Sequence, residues 1–159
     1  MKEIVSNLFI GSDLDCHHAN NHFAVIHACK TCHQSGVGYR GNLSSSHPNY
    51  LIYEDNEHLY LNMVDMDREL LCRFTHPIMK NAITFIEKYI NEWQILIHCN
   101  QGQSRSPSIG MVYLARINII TLTSYSDAKS EFIVVYPDFL PGRGIELYLM
   151  KNWDELMEL

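Results

Sequence analysis

The feature that most constrains the fold is an apolar run that ends at a cysteine and leads into a glycine-containing turn. Residues 94–98 read QILIH, and residues 99–106 read CNQGQSRS. An apolar run of this kind is typical of a central strand that is buried on both faces. Residues 108–116 then have the composition of a helix, so the sequence predicts a strand, a turn and a helix in succession.

The rest of the chain alternates predicted strands with predicted helices. The capping pattern Ser124-x-x-Asp127 marks the start of one helix, and the spacing of Ile78, Ala82 and Ile86 marks the apolar face of another. This alternation predicts an α/β fold in which a central, mostly parallel sheet of four to five strands has helices on both faces. We expect the other strands at 3–5, 8–10, 23–27 and 59–64, and the other helices at 14–21, 74–90, 124–136 and 144–156.

Length and charge limit the possible partners. The 159 residues are most simply one domain spanning 1–159, and the formal net charge is −6. A negatively charged chain is not expected to bind nucleic acid non-specifically or to attach to an anionic membrane surface. No apolar stretch reaches the ~20 residues that a membrane-spanning helix needs, and the N-terminus lacks the pattern of a signal peptide. We therefore expect a cytoplasmic protein whose five cysteines are reduced.

The turn after the predicted central strand has the properties of an anion-binding site. Backbone N–H groups converge where a turn enters a helix, and the positive end of the helix dipole adds to their attraction. Gly102 lets the backbone close tightly, and the planar guanidinium of Arg105 can donate to two oxygens of one phosphate or sulfate. We expect the anion to be bound by Asn100, Gln101, Gly102, Gln103, Ser104 and Arg105.

Cys99 lies in the middle of this positive field. The N-terminus of a helix stabilises the thiolate form of a cysteine, which is the nucleophilic form. A thiolate beside a bound phosphate is placed for in-line attack on phosphorus, and water can later hydrolyse the thiophosphate that results. Ser106 can donate a hydrogen bond to the sulfur and so assist its departure. The alternative is a buried structural cysteine, with Arg105 in an ordinary surface ion pair.

Residues 98–106, of the form His-Cys-x-x-Gly-x-Ser-Arg-Ser, resemble the signature loop of the cysteine-dependent protein tyrosine phosphatases, especially of their dual-specificity branch. Residues 8–12, 59–65 and 128–137 resemble the opening hairpin, the acid-loop strand and a later helix of the same family. The resemblance implies that Cys99 is the nucleophile and that Arg105 and the loop amides bind phosphate. It also implies that Ser106 assists thiolate release and that the reaction needs no metal cofactor.

The leaving oxygen needs a proton, and a carboxyl group on a loop that faces the site is the expected donor. Two aspartates follow the predicted acid-loop strand. Spacing to Cys99 slightly favours Asp67, whereas a position directly after the strand favours Asp65. We choose Asp65 as the general acid, and Asp55 and Glu69 are further candidates.

The segment 28–57 has no clear periodicity, so we expect a long irregular loop inserted into the domain. The segment could form one wall of the active-site cleft, or it could be an exposed decoration. The residues that could then contact substrate are Tyr39, Arg40, His47 and Tyr50.

Cysteines and histidines near the start of this segment allow two metal-dependent alternatives. Cys29 and Cys32, followed by His33, have the spacing of a covalent c-type haem site, which would require an exported chain. A zinc site is the other possibility, although only half of a zinc-ribbon pattern is present. Its further ligands would come from His27, His33, Cys16, His17 or His18. We predict that neither metal is bound.

We therefore expect an enzyme that hydrolyses phosphate monoesters on the tyrosine, serine or threonine side chains of proteins, without a cofactor. A phosphoinositide phosphatase is the first alternative. The resemblance implies lysines in the signature loop of the lipid-directed branch, and this chain has Asn100 and Gln103 at those positions. A phosphate-binding module without catalytic activity is the second alternative, but such a module would be expected to lack either Cys99 or Arg105.

Overall fold

Six strands form one mixed sheet in the computed structural model, which describes residues 1–159. Across the sheet their order is β1-β2-β6-β3-β5-β4. The four central strands run parallel to one another, and the two edge strands are antiparallel to their neighbours. The strands are β1 (Lys2–Val5), β2 (Leu8–Gly11), β3 (Phe23–His27), β4 (Ile52–Asp55), β5 (His58–Leu61) and β6 (Gln94–His98).

Seven helices cover the two faces of this sheet. They are α1 (Asp13–His18), α2 (Lys30–Val37), α3 (Cys72–Tyr89), α4 (Arg105–Arg116), α5 (Tyr125–Val135), α6 (Arg143–Lys151) and α7 (Trp153–Met157). On one face, Asp13 of α1 and Cys32 of α2 contact His98 of β6. The main core lies on the opposite face, where the later helices pack. No helix combines the length and apolar character that crossing a bilayer requires.

The strand β6 occupies the centre of the sheet because its sequence is apolar throughout. Ile95, Leu96 and Ile97 are fully buried, and β6 pairs with β2 on one side and β3 on the other. Alternate side chains point to opposite faces, so Ile95 and Ile97 join the main core while Leu96 lies on the other face. The strand therefore delivers Cys99 to the carboxyl edge of the parallel strands.

The predicted α/β fold with a central sheet and flanking helices is confirmed, but the sheet has six strands rather than four to five and is mixed. The segment 28–57, expected to be irregular, contains α2 and β4. The sequence of α2, KTCHQSGV, includes a glycine and has no continuous apolar face, so it lacks the usual helical pattern. The edge strand β4 ends in exposed Glu54 and Asp55, so its sequence does not show the alternation of apolar and polar residues that is typical of a strand. That this segment is an insertion stays a prediction.

The chain after β5 turns into a loop at residue 62 instead of continuing as a strand to 64. Gly144 at the start of α6 holds this loop: its N–H donates to the carbonyl of Met66 at 2.8 Å, and its carbonyl accepts from Leu70 at 3.2 Å. A Cβ atom at Gly144 would collide with the carbonyl oxygens of Met66 and Arg68, so only glycine fits. The loop that carries Asp65 is thus anchored to α6.

Candidate active site

Cys99 and Ser106 lie side by side where β6 ends and α4 begins. Cys99 is 2% exposed, and its Sγ lies 3.2 Å from the Oγ of Ser106, which is fully buried. The Ser106 hydroxyl also lies 3.3 Å from the carbonyl oxygen of Gly11, at the end of β2. When the sulfur is a thiolate, the hydroxyl can donate to it, which is the arrangement that the sequence predicts.

The turn between Cys99 and α4 carries a row of backbone donors without internal partners. The N–H groups of residues 100–105 make no backbone hydrogen bond, so they are available to a ligand. Gly102 has a φ of 71°, in the left-handed region that favours glycine. A Cβ atom there would also lie 2.9 Å from the carbonyl oxygen of Gly11. Glycine therefore allows the turn to curl tightly against the end of β2.

The C-terminal part of the chain holds this turn from outside. The Tyr136 hydroxyl donates to the carbonyl of Gly102 at 2.7 Å, and the N–H of Leu140 donates to the carbonyl of Gln103 at 2.8 Å. Burial, together with the negative charge of Asp138, raises the pKa of Tyr136 to about 12, so this hydroxyl stays protonated. Sequence reasoning missed both contacts because no local pattern links residues that are so far apart in the chain.

Arg105 is the one cationic side chain that lines the site. It is 6% exposed, and its Nη1 donates to the carbonyl of Met63 at 3.1 Å. Its Nε lies 3.0 Å from Oδ2 of Asp65, but the N–H is not directed at that oxygen and has no hydrogen-bond acceptor. A buried guanidinium with an unused donor favours an anionic ligand, because burial of an incompletely satisfied charge is costly.

Asp65 lies at the rim of the same site. Its Oδ1 accepts a hydrogen bond from the Ser104 hydroxyl at 2.9 Å, and Ser104 in turn accepts from the N–H of Gly142 at 2.9 Å. The carboxyl group of Asp65 is 44% exposed, so it can reach both the site and solvent. These contacts tie the loop after β5 to the turn that carries Cys99.

The structure separates Asp65 from the other candidate acids. Asp67 is exposed and does not line the cavity, Asp55 ends the edge strand β4, and Glu69 is ion-paired with Lys151 at 3.3 Å. The structure therefore brings only Asp65 of the four candidates to Cys99 and Arg105.

Cys99, Arg105 and Asp65 line an open cavity of about 480 Å³. Its floor is the turn that the sequence predicts, and the segment 140–142 forms a wall that the sequence did not reveal. The four residues of segment 28–57 that were considered for substrate contact do not line this cavity. The lining residues are Asp65, Cys99, Asn100, Gln101, Gln103, Ser104, Arg105, Leu140, Pro141 and Gly142.

A thiol at the N-terminus of a helix, free backbone donors and a buried arginine in one cavity define a cysteine-dependent phosphatase. The chain belongs to the dual-specificity phosphatase family, because residues 21–130 match the family model described as "Dual specificity phosphatase, catalytic domain". A comparison with curated protein sequences found no significant match.

Several solved structures share the fold. The crystal structure of DUSP15 is 20% identical, with a TM-score of 0.62 over 99% of this chain and 92% of that one. A leucine-rich repeat and phosphatase domain protein from Entamoeba histolytica is 19% identical, with a TM-score of 0.66 and the same two coverages. PTPMT1, solved in complex with PI(5)P, is 16% identical, with a TM-score of 0.62 over 98% of this chain and 96% of that one.

Proposed function

We propose that this enzyme removes phosphate from phosphotyrosine, phosphoserine or phosphothreonine in proteins through a cysteinyl-phosphate intermediate. The observation that carries the proposal is the cavity lined by Cys99, Arg105 and the turn residues 100, 101, 103 and 104, whose N–H groups make no backbone hydrogen bond. A cytoplasmic location, inferred from the sequence, suits a nucleophile that must stay reduced.

In the first step the phosphate dianion accepts hydrogen bonds from the loop N–H groups and from Arg105. The Cys99 thiolate attacks phosphorus, the S–P bond forms, and the bond from phosphorus to the substrate oxygen breaks. The protonated carboxyl group of Asp65 gives its proton to the leaving oxygen, so the product departs as an alcohol or phenol. The phosphate accepts from the Nε–H of Arg105, which lies 3.0 Å from Asp65 without bonding to it, so the carboxyl group stays free to meet the leaving oxygen.

In the second step water attacks the phosphorus of the cysteinyl phosphate. The Asp65 carboxylate accepts a proton from the water, the S–P bond breaks, and Cys99 leaves as a thiolate. The Ser106 hydroxyl, 3.2 Å from Sγ, donates to the departing sulfur and stabilises its negative charge. Inorganic phosphate then dissociates, and the enzyme returns with Asp65 protonated again.

Replacement of Asp65 by asparagine tests the assignment of the general acid. We expect Asp65→Asn to lower kcat/KM, which reports the first step, about 10²- to 10³-fold on a phosphoserine peptide, because an alkoxide is a poor leaving group without a proton. The loss should be smaller with p-nitrophenyl phosphate, whose leaving group needs little protonation. Steady-state kinetics on the two substrates measure both effects.

The matched control is Asp67→Asn, which removes the neighbouring carboxylate from outside the cavity and should keep nearly full activity. If Asp67→Asn shows the leaving-group dependence and Asp65→Asn does not, the assignment is wrong.

A phosphoinositide phosphatase is the second candidate, since one structural neighbour was solved with PI(5)P. The cavity composition favours protein substrates, because Arg105 is the only cationic side chain among its lining residues. A lipid headgroup that carries a second phosphate would need further cations.

Phosphate release distinguishes the two substrate classes. We expect kcat/KM for phosphotyrosine and phosphothreonine peptides to exceed that for PI(5)P in mixed micelles by at least about tenfold, the effect of one good charge-assisted contact. The reverse preference would contradict the protein-phosphatase proposal and leave the cysteine chemistry intact.

A further inference from the structure

A second cluster of reactive side chains lies behind the active site, on the sheet face covered by α1 and α2. Cys16 of α1, His27 of β3, Cys32 of α2 and His98 of β6 line one cavity of about 440 Å³. None of the four takes part in the phosphate chemistry described above. Two thiols and two imidazoles from four separate elements thus face one cavity, and one of the imidazoles, His98, directly precedes Cys99.

Two thiol–imidazole separations within this cluster are close to those of a tetrahedral metal site. The facing nitrogens, Nδ1 of His27 and Nε2 of His98, are 2.7 Å apart. The Sγ of Cys16 lies 3.7 Å from Nδ1 of His27, and the Sγ of Cys32 lies 3.9 Å from Nε2 of His98. Bonds of about 2.0 Å to nitrogen and 2.3 Å to sulfur place tetrahedral ligand atoms about 3.3 to 3.8 Å apart. The four ligand atoms do not all lie within 4.8 Å of one another: the groups within that limit are Cys16, His27 and His98, and Cys29, Cys32 and His98. One Zn²⁺ ion would therefore need the two imidazoles to move apart and the Cys32 side chain to turn toward Cys16 and His27.

Neighbouring groups orient both imidazoles toward the common centre. The other ring nitrogen of His27, Nε2, lies 3.0 Å from Nδ1 of His58, and Tyr60 stacks on the His27 ring at 4.4 Å. The other nitrogen of His98, Nδ1, lies 3.4 Å from the carboxylate of Asp13. Carboxylate–histidine pairs of this kind fix the ring of a metal-binding histidine and raise its basicity.

His98 carries an independent sign that its environment is incomplete. Its side chain is fully buried, yet Nδ1 has no hydrogen bond, because the Asp13 carboxylate is near but not in line. A metal bound at Nε2 would require the proton to reside on Nδ1, where the carboxylate can accept it after a small rotation. Buried polar atoms without a partner are uncommon, and a metal at Nε2 would give this one a partner by placing the proton on the nitrogen that faces Asp13.

Although the sequence predicted no bound metal, we propose that Cys16, His27, Cys32 and His98 form a Zn²⁺ site that holds α1 and α2 against the sheet behind the phosphate-binding turn. Four protein ligands leave no open coordination position, so the metal is structural and takes no part in phosphate transfer. Each of the two thiols gives up one proton when it binds zinc. His33 is not a ligand, since its ring nitrogens lie 2.7 Å from the Tyr39 hydroxyl and 2.8 Å from the carbonyl oxygen of Asn49.

The test uses the full chain in a Cys99→Ser background, which removes the catalytic thiol as a competing zinc ligand. Protein stripped of metal under reducing conditions is titrated with Zn²⁺ or Co²⁺ alone. We expect one ion per chain, a rise in Tm, and the visible absorption of tetrahedral Co²⁺ with thiolate charge transfer. Activity plays no part, so failure of this proposal and failure of the proposed phosphatase function are separable.

Ligand variants decide which cluster holds the metal. We expect Cys16→Ser and Cys32→Ser each to weaken Zn²⁺ binding more than about 100-fold, and Asp13→Asn to weaken it about tenfold. Cys72→Ser is the matched control, because it removes an exposed thiol that lies near His76 and Glu155 in a separate cluster. Absence of stoichiometric binding in the Cys99→Ser protein would overturn the proposal. Zn²⁺ affinity in Cys16→Ser and Cys32→Ser equal to that of the Cys99→Ser parent would also overturn it. So would loss of binding in Cys72→Ser alone.

Discussion

Replacement of Cys99 by serine is expected to reduce turnover of p-nitrophenyl phosphate by about 10⁴-fold or more, the scale seen when a nucleophile is removed. A serine hydroxyl keeps its proton at neutral pH, so it cannot act as the anionic nucleophile that a thiolate provides. Serine is close to cysteine in size and can still contact Ser106, so the fold and phosphate binding should survive. Steady-state rates and thermal unfolding of Cys99→Ser measure the two effects separately.

The matched control for this variant is Cys72→Ser, which makes the same change at an exposed position at the start of α3. It should keep wild-type activity. Appreciable turnover by Cys99→Ser, or a similar loss in Cys72→Ser, would contradict the assignment of Cys99 as the nucleophile.

Replacement of Arg105 by lysine is expected to lower kcat/KM about 10³-fold although the positive charge is retained. The hydrogen bond from Arg105 to the Met63 carbonyl fixes the guanidinium where it can donate in parallel to two phosphate oxygens. An ammonium group on a flexible stem cannot reproduce that geometry. Both the bound substrate and the charge that develops during transfer lose stabilisation. Inhibition by inorganic phosphate, measured beside the kinetics, reports the loss in ground-state binding.

Arg116→Lys is the matched control for this change, because Arg116 also donates to backbone carbonyls, but at the C-terminus of α4, away from the cavity. It should lower stability without a comparable effect on kcat/KM. Near wild-type kcat/KM in Arg105→Lys would show that the guanidinium geometry is not needed.

The centre of the site was predictable because its parts are adjacent in sequence. β6, the turn and the start of α4 form one continuous segment, and an apolar strand followed by a glycine turn has few ways to fold. Cys99, Arg105 and Ser106 could therefore be placed together without knowing the rest of the fold. The structure has the same arrangement, with Sγ of Cys99 3.2 Å from Oγ of Ser106.

The parts that were missed depend on contacts between distant segments. Tyr136 and Leu140 support the turn through hydrogen bonds that no local pattern signals. The helix α2 forms although its sequence is polar, because burial of His33 and contact with β5 outweigh its weak helical propensity. The cluster of Cys16, His27, Cys32 and His98 likewise depends on four elements that meet only in the folded chain.

The choice between Asp65 and Asp67 could be made only in part from the sequence. Sequence spacing and strand position gave opposite preferences, and a shift of two residues changes which side chain faces the site. In the structure β5 ends at Leu61, and the loop is held by Gly144 so that Asp65 meets Ser104 and Arg105. Its role as the general acid stays a prediction that the paired asparagine variants test.

Chemical trapping of the intermediate tests the central claim most directly. In Asp65→Asn, p-nitrophenyl phosphate should still phosphorylate the enzyme, while hydrolysis slows because the base that activates water is missing. Rapid quenching and mass spectrometry should then find one phosphoryl group on the peptide that contains Cys99, and none in a variant that also carries Cys99→Ser. Turnover without a phosphoryl group on Cys99, or with the group on another residue, would contradict the cysteinyl-phosphate mechanism.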